Sequence, residues 1–444
     1  MVYREPIVLI KKLKSSLDKD IHLSELLKGS MLTFLIKISG AIIVFLFSIL
    51  LARTLDIKEV GIFYLALTSL VILSTLTRLG LDRAVFVKLS YFLGSDNSNN
   101  IKSHISTAKI VIFFASIMAT ITIIYASKEI SSFVFEKEEL RVTLIIMCIG
   151  IFPFSLMHLF SETLRAYKEI MHSQLLLASA MLVPVVVMLF NNKESLSLDT
   201  IAILYVVGLF MVSLYGLYVT KMKIGYNFFQ LNNKSEIFEI SNSLYIISIA
   251  NMCMAMGGSF LVGVWGSLEE VGAYNVISRM AFLLNFVLIS VNAVLSVQIG
   301  RLLAKNDINS VEKIVNKAVL LGGIVGLPLF ILFMVFPEEM VSMFGEEYVP
   351  YSLILIILAI GQYFSLISGP VGNVLIMSGN EKLMKNIMLF SAFFLLVVSC
   401  ILIILLGVIG AAIAFTLTII IQNIIALYYV YTKLHIKMFF LKFI

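Results

Sequence analysis

The chain has 444 residues, of which 60% are hydrophobic and 14% charged, with a formal net charge of +6. Soluble domains carry roughly a quarter charged residues, so this composition excludes an ordinary water-soluble fold and points to a bilayer. Apolar runs of about 20 residues suit helices crossing roughly 30 Å of hydrocarbon, whereas barrel strands would alternate over about ten.

Residues 1–29 carry Arg4, Lys11, Lys12, Lys14, Lys19 and Lys28 without a small-residue cleavage site, which reads as a basic cytoplasmic segment and not a cleaved signal peptide. Six spans follow, at 31–52, 60–80, 110–127, 142–160, 173–190 and 200–219. A polar linker at 221–240 leads to six more, at 241–264, 273–300, 318–336, 351–376, 387–406 and 410–431, and a tail at 433–444. The fold predicted is an all-α integral membrane protein of twelve transmembrane helices, built as two pseudo-symmetric six-helix bundles (30–220 and 241–432) around a central cavity. Three cysteines, Cys148, Cys253 and Cys400, lie in apolar segments and behave as small hydrophobes.

The two halves align. Lys58-Glu59-Val60-Gly61-Ile62-Phe63 and Glu269-Glu270-Val271-Gly272-Ala273-Tyr274 each open an apolar span, and the same offset of about 211 residues carries Gly150 onto Gly361. Six crossings per half is an even number, so both halves have one orientation, and duplicated halves of this kind place a substrate site between the repeats. With the N-terminus inside, cytoplasmic segments hold about 24 of the 33 basic residues, which sets the expected orientation with both termini cytoplasmic. The stretch 96–100 reads as a hydrophilic cytoplasmic loop.

Polar residues enter the spans in stripes at helical spacing. The first span carries Ser30, Thr33, Lys37, Gly40, Val44 and Ser48; the seventh, Ser241, Tyr245, Ser248, Asn251, Ala255 and Gly258; the eighth, Asn275, Ser278, Arg279, Asn285, Asn292 and Ser296. Small and hydroxyl residues also serve close helix packing. Arg279 is harder to dismiss, because a guanidinium at the centre of a membrane helix costs about 2.5–3.5 kcal/mol and such residues face water or a partner. Snorkelling is open to Arg279 and more readily to Lys37. Arg78, with Asp82 at i+4, fits a structural ion pair at the inner edge.

No Asp or Glu falls within the twelve spans. A pump for organic cations needs a buried carboxylate, so the expected cavity is neutral to cationic and its guest anionic, with arginine suited to phosphate. His158 could relay a proton or simply pack. No metal-ligand spacing, no phosphate-binding loop and no assembled nucleophile, base and orienter support catalysis, a metal or a cofactor.

Val271-Gly272-Ala273-Tyr274 followed by Ser278-Arg279-Met280, Asn292, Leu295 and the polar exit 301–307 resembles the polysaccharide-type members of the multidrug, oligosaccharidyl-lipid and polysaccharide (MOP) exporter superfamily, the Wzx-like flippases. Leu79-Gly80-Leu81-Asp82, Leu164-Arg165-Ala166-Tyr167 and Gly379-Asn380-Glu381-Lys382 add to the resemblance, which spans nearly the whole chain. It implies a V-shaped pair of bundles with alternating access, working as a monomer in the bacterial inner membrane. The cargo it implies is undecaprenyl-diphosphate-linked oligosaccharide repeat units, moved from the inner to the outer leaflet for O-antigen, capsule or similar polysaccharides, with polymerase machinery as a further partner. Lys37 and Arg279 are then expected to serve the anionic head, Asn251, Asn285 and Asn292 the phosphate or sugar, and Arg78 is a further substrate-binding candidate. Nucleic acid is not an expected partner. Lipid II flippases of the superfamily usually carry two further helices. The competing readings are a MATE-type antiporter for small solutes and a polyprenyl-linked glycan polymerase or ligase; the short external loops speak against the latter.

Overall fold

The computed structural model describes the backbone of residues 21–92, 98–191, 196–224, 235–304 and 307–438; side chains are described there except at 21–35, 37, 91–92, 98–102, 235–236, 290–291, 293–294, 296–297, 301 and 304. The side chains of Ser30, Thr33, Lys37 and Ser296, and most of the 221–240 linker, therefore lie outside the described residues.

The described chain is helical from end to end. The first lobe contains α1 (Ile21–Thr54), α2 (Ile57–Arg78), α3 (Leu81–Phe92), α4 (Ser98–Glu129), α5 (Leu140–Ile149), α6 (Ile151–Ala166), α7 (Ile170–Ala178), α8 (Leu182–Phe190) and α9 (Leu198–Ile224). The second contains α10 (Ser235–Trp265), α11 (Leu268–Ala281), α12 (Leu283–Ala304), α13 (Ile308–Val335), α14 (Pro337–Ser342), α15 (Ser352–Ser368), α16 (Val371–Met377), α17 (Glu381–Leu406) and α18 (Val408–Leu434). Among the described residues nine helices are long and apolar enough to cross a bilayer, two bent pairs add two crossings, and Ile38–Thr54 is the apolar part of the first. Large apolar side chains such as Phe114, Met118, Phe190 and Leu405 point outward, as lipid-facing residues do.

Four expectations need correction. The spans at 142–160 and 173–190 are not straight: α5 and α6 meet at 41°, α7 and α8 at 52°. Pro153 and Pro184 sit in the first turn after each break, where a missing N–H leaves no helical bond unmade. The span at 351–376 is likewise interrupted at Gly369-Pro370, between α15 and α16. A short amphipathic helix, α3, follows the second span, and Ser98–Asn100 of the expected loop already belong to α4. Finally, helices outrun the spans, so two carboxylates are helical and covered: Asp82 in α3 is buried, and the Glu162 side chain in α6 is 18% exposed.

The lobes meet chiefly along α2, which packs on α11 and α10, while α1 touches α11 and α12. Asp56 caps α2 by accepting from the Glu59 amide, and Ser267 with Glu270 forms a capping box on α11. These repeat-related helix starts lie together at one pole of the molecule, called here the Gly61 pole; Arg78 marks the opposite one.

Candidate functional site

At the Gly61 pole the two motif glycines pack against each other. A Cβ on Gly61 would overlap the Leu268 carbonyl, and one on Gly272 the Ile57 carbonyl. Only the absence of side chains lets α2 and α11 approach this closely. Around the crossing, Arg53 Nε donates to Met343 O (2.8 Å), the Ile57 amide to Glu347 Oε2 (3.1 Å), and Lys137 Nζ to Gly263 O (2.8 Å). Every one of these bonds joins the first lobe to the second, so this pole is shut. At the other pole Ser241 Oγ donates to Leu79 O, tying α10 to the end of α2.

Between the poles lies a cavity of about 420 Å³, lined from both lobes. Its polar lining is Tyr64, Thr68, His158, Tyr205, Ser259, Tyr274, Asn275, Ser278 and Arg279, and among the described residues no carboxylate contributes. A second recess of about 330 Å³ shares Val44, Leu177, Ala178, Arg279 and Phe282 with it and continues between α1, α7 and α12 past Ile36, Gly40, Gln174 and Phe286. Arg279 stands where the two spaces join.

The Arg279 guanidinium lies 5.1 Å from the centre of the Tyr64 ring, a cation–π contact between lobes. Its Nε is buried without a hydrogen-bond partner, and among the described residues no carboxylate pairs with it. A covered cation lacking a counter-charge is unfavourable unless a ligand or water supplies one. Tyr64 is held in turn by donating to Ser48 Oγ (2.9 Å). The second lobe repeats this bond at the same offset, with Asn275 Nδ2 donating to Ser259 Oγ (2.7 Å), and Ser259 also pairs with Thr68 across the lobes (3.0 Å). The repeat partner of Arg279 is Thr68, so among the described residues the positive charge lining the cavity comes from the second lobe.

The sequence-derived residues divide by environment. Arg279 enters the cavity, and Asn292 lines a third, smaller recess in the second lobe. Asn251, one turn before the cavity residues Met254 and Ala255, donates its amide to Ile247 O, while Asn285 lies between Leu283 and Phe286 of the second recess. The side chain of Lys37 is outside the described residues; its neighbours Ile36 and Gly40 line the second recess. Arg78 lines none of these spaces: it donates to Asp82 (3.0 Å), Thr75 Oγ1 (2.9 Å) and Ser74 O (3.2 Å). Sequence reasoning passed over Tyr64 as a cavity residue; the repeat itself held the signal, since Tyr64 falls on Asn275.

The family model described as "Polysaccharide biosynthesis protein" matches residues 26–296, and the MatE model matches residues 244–402. A probable low-salt glycan biosynthesis flippase, Agl15 of Haloferax volcanii, is 24% identical over 212 residues. That match covers 46% of this chain and 45% of the relative, so the chain aligns with under half of that protein's length. Among solved structures, the lipid II flippase MurJ in an inward closed conformation superposes with a TM-score of 0.75 at 15% identity, covering 91% of this chain and 87% of that one. A multidrug resistance MATE family transporter of the MOP superfamily, inward-facing, gives 0.73 at 12% identity, covering 91% and 98%. The fold is thus the two-lobed MOP fold, and all three similar proteins are transporters or flippases by name.

Proposed function

The chain belongs to the polysaccharide biosynthesis protein family, and from that premise we propose that it is a multi-pass membrane flippase for lipid-linked oligosaccharide. Its cargo on this reading is an undecaprenyl-diphosphate-linked repeat unit carried from the inner to the outer leaflet of a bacterial cytoplasmic membrane. The single observation that carries the proposal is Arg279: among the described residues it is a cation without a counter-charge, in a cavity between two lobes that no carboxylate lines. A diphosphate is the complementary guest, since charge-assisted bonds to a guanidinium are roughly twice as strong as neutral ones. The recess between α1 and α12 supplies a lateral path from the cavity, along which a polyprenyl tail stays in lipid while its head is enclosed. The Gly61 pole faces outward on this reading, so the closed contacts there hold the protein ready to load from the cytoplasmic side.

Reconstituted translocation of undecaprenyl-diphosphate oligosaccharide tests the proposal. Arg279→Ala should lower the rate by about ten- to a hundredfold, the worth of a hydrogen bond to a charged group, and Arg279→Lys should recover part of it. Full activity in a folded Arg279→Ala protein would exclude the role. The MatE match over 244–402 favours a second reading, a small-solute antiporter. Against it stands the lack of any carboxylate in the cavity lining to hold a cationic solute.

A further inference from the structure

We propose that the third recess, in the wall of the second lobe, is a subsite for the sugars of the cargo. It holds about 140 Å³ and is lined by Asn292, Asn373, Gln422 and Asn423 together with the broken segment Gly369–Gly372. Among the described residues four carboxamides and no charged side chain meet there. A carboxamide donates and accepts at once, as a sugar hydroxyl does, whereas a phosphate only accepts and a divalent cation is held through carboxylates as well as carbonyls. The guest that fits is therefore neutral and rich in hydroxyl groups. Asn423 donates Nδ2 to Ile419 O, which turns its Oδ1 free to accept. The carboxamides of Asn373 and Gln422 have no hydrogen-bond partner among the described residues, and both are half-buried.

The repeat places this recess beside the transport path. At the offset of about 211 residues His158 falls on Gly369 and Glu162 on Asn373, and His158 lines the central cavity. Amides turned to acyl chains would be costly, so on this proposal the recess opens toward the aqueous space. Along α18, Gln422 and Asn423 lie about 11–12 Å from Phe415, which lines the central cavity. With the diphosphate in the cavity that Phe415 and Arg279 line, a short oligosaccharide extending along α18 would reach the recess, so the two sites read one molecule: charge at one end, hydroxyl pattern at the other.

This subsite rests on the flippase reading, and binding to full-length protein in nanodiscs separates the two. The probes are undecaprenyl diphosphate alone, and the same carrier bearing the oligosaccharide extracted from cells that make the protein. Wild type should hold the glycosylated carrier more tightly than the bare one. Asn373→Ala/Gln422→Ala should weaken the glycosylated carrier about tenfold and leave the bare carrier unchanged, which also shows that the variant is folded. Gln422→Met, of similar volume, should give a smaller loss of the same kind. Arg279→Ala should weaken both probes. The subsite is overturned if the amide variants keep the preference, or weaken both probes equally, or if wild type binds both alike; binding of neither probe by wild type would remove the flippase reading itself.

Discussion

Arg78 and Arg279 are both covered by the bundle and differ in what surrounds them. Each nitrogen of Arg78 has a partner: a carboxylate, a hydroxyl and a carbonyl accept from it, all from its own helix or the next. Removing one partner of such a buried pair leaves the other charge stranded, at a cost of about 3–5 kcal/mol. Arg78→Met should therefore lower thermal stability in detergent sharply, and Arg78→Met/Asp82→Leu should restore most of it. Equal unfolding temperatures for both variants would show that Asp82 is not stranded when its partner is removed. This ion pair was legible, because i and i+4 share a helix face. The setting of Arg279 was legible only by half: its burial follows from sequence, but the Tyr64 ring beneath it comes from the other lobe, and no local pattern encodes that contact.

Between residues and the whole stand the helices that carry the repeat. Gly61 and Gly272 are the visible signature of the duplication, and their shared role is the α2–α11 crossing, where each lies against the other helix's backbone. A branched side chain there must push the helices apart. Gly272→Val should hold the Gly61 pole open, seen as longer spin-label distances across it and as slowed translocation, while leaving lipid-carrier binding measurable. Unchanged distances would show that the glycines only ease packing within one fixed state. The helix breaks were not read from the spans, since apolar content continues through Gly150 and through residues 179–181. What ends each helix is a backbone matter: proline follows in the first turn of the next segment, and the fall in regularity leaves hydropathy untouched. Helix α3 was missed because twelve residues with one polar face are too short to register as a crossing.

At the scale of the molecule, opening and closing of the Gly61 pole is an equilibrium between two packings of the same lobes, biased by groups whose environment changes. Lys137 is such a group. It lies in the turn between Val134 and Leu140, outside the candidate spans, and its ammonium donates across the lobes to Gly263 O. Burial in the closed pole pulls its pKa below the ordinary lysine value, with Glu136, Glu270 and Glu269 opposing part of the shift. Opening would return Lys137 to water and raise its pKa toward about 10.4. Between the two values the open form binds more protons, so acidification within that window favours opening and alkalinisation favours closure. Spin labels placed on either side of the pole should report a closed fraction that grows as pH rises toward about 10.4, and Lys137→Met should flatten that change. A slope of the opposite sign, or one that persists in Lys137→Met, would mean that other groups govern the pole. The carbonyl of Gly263 and the amide of Ile57 are backbone partners, so this switch was invisible to side-chain patterns: the sequence names the lysine, and only the docking of the lobes names what it touches.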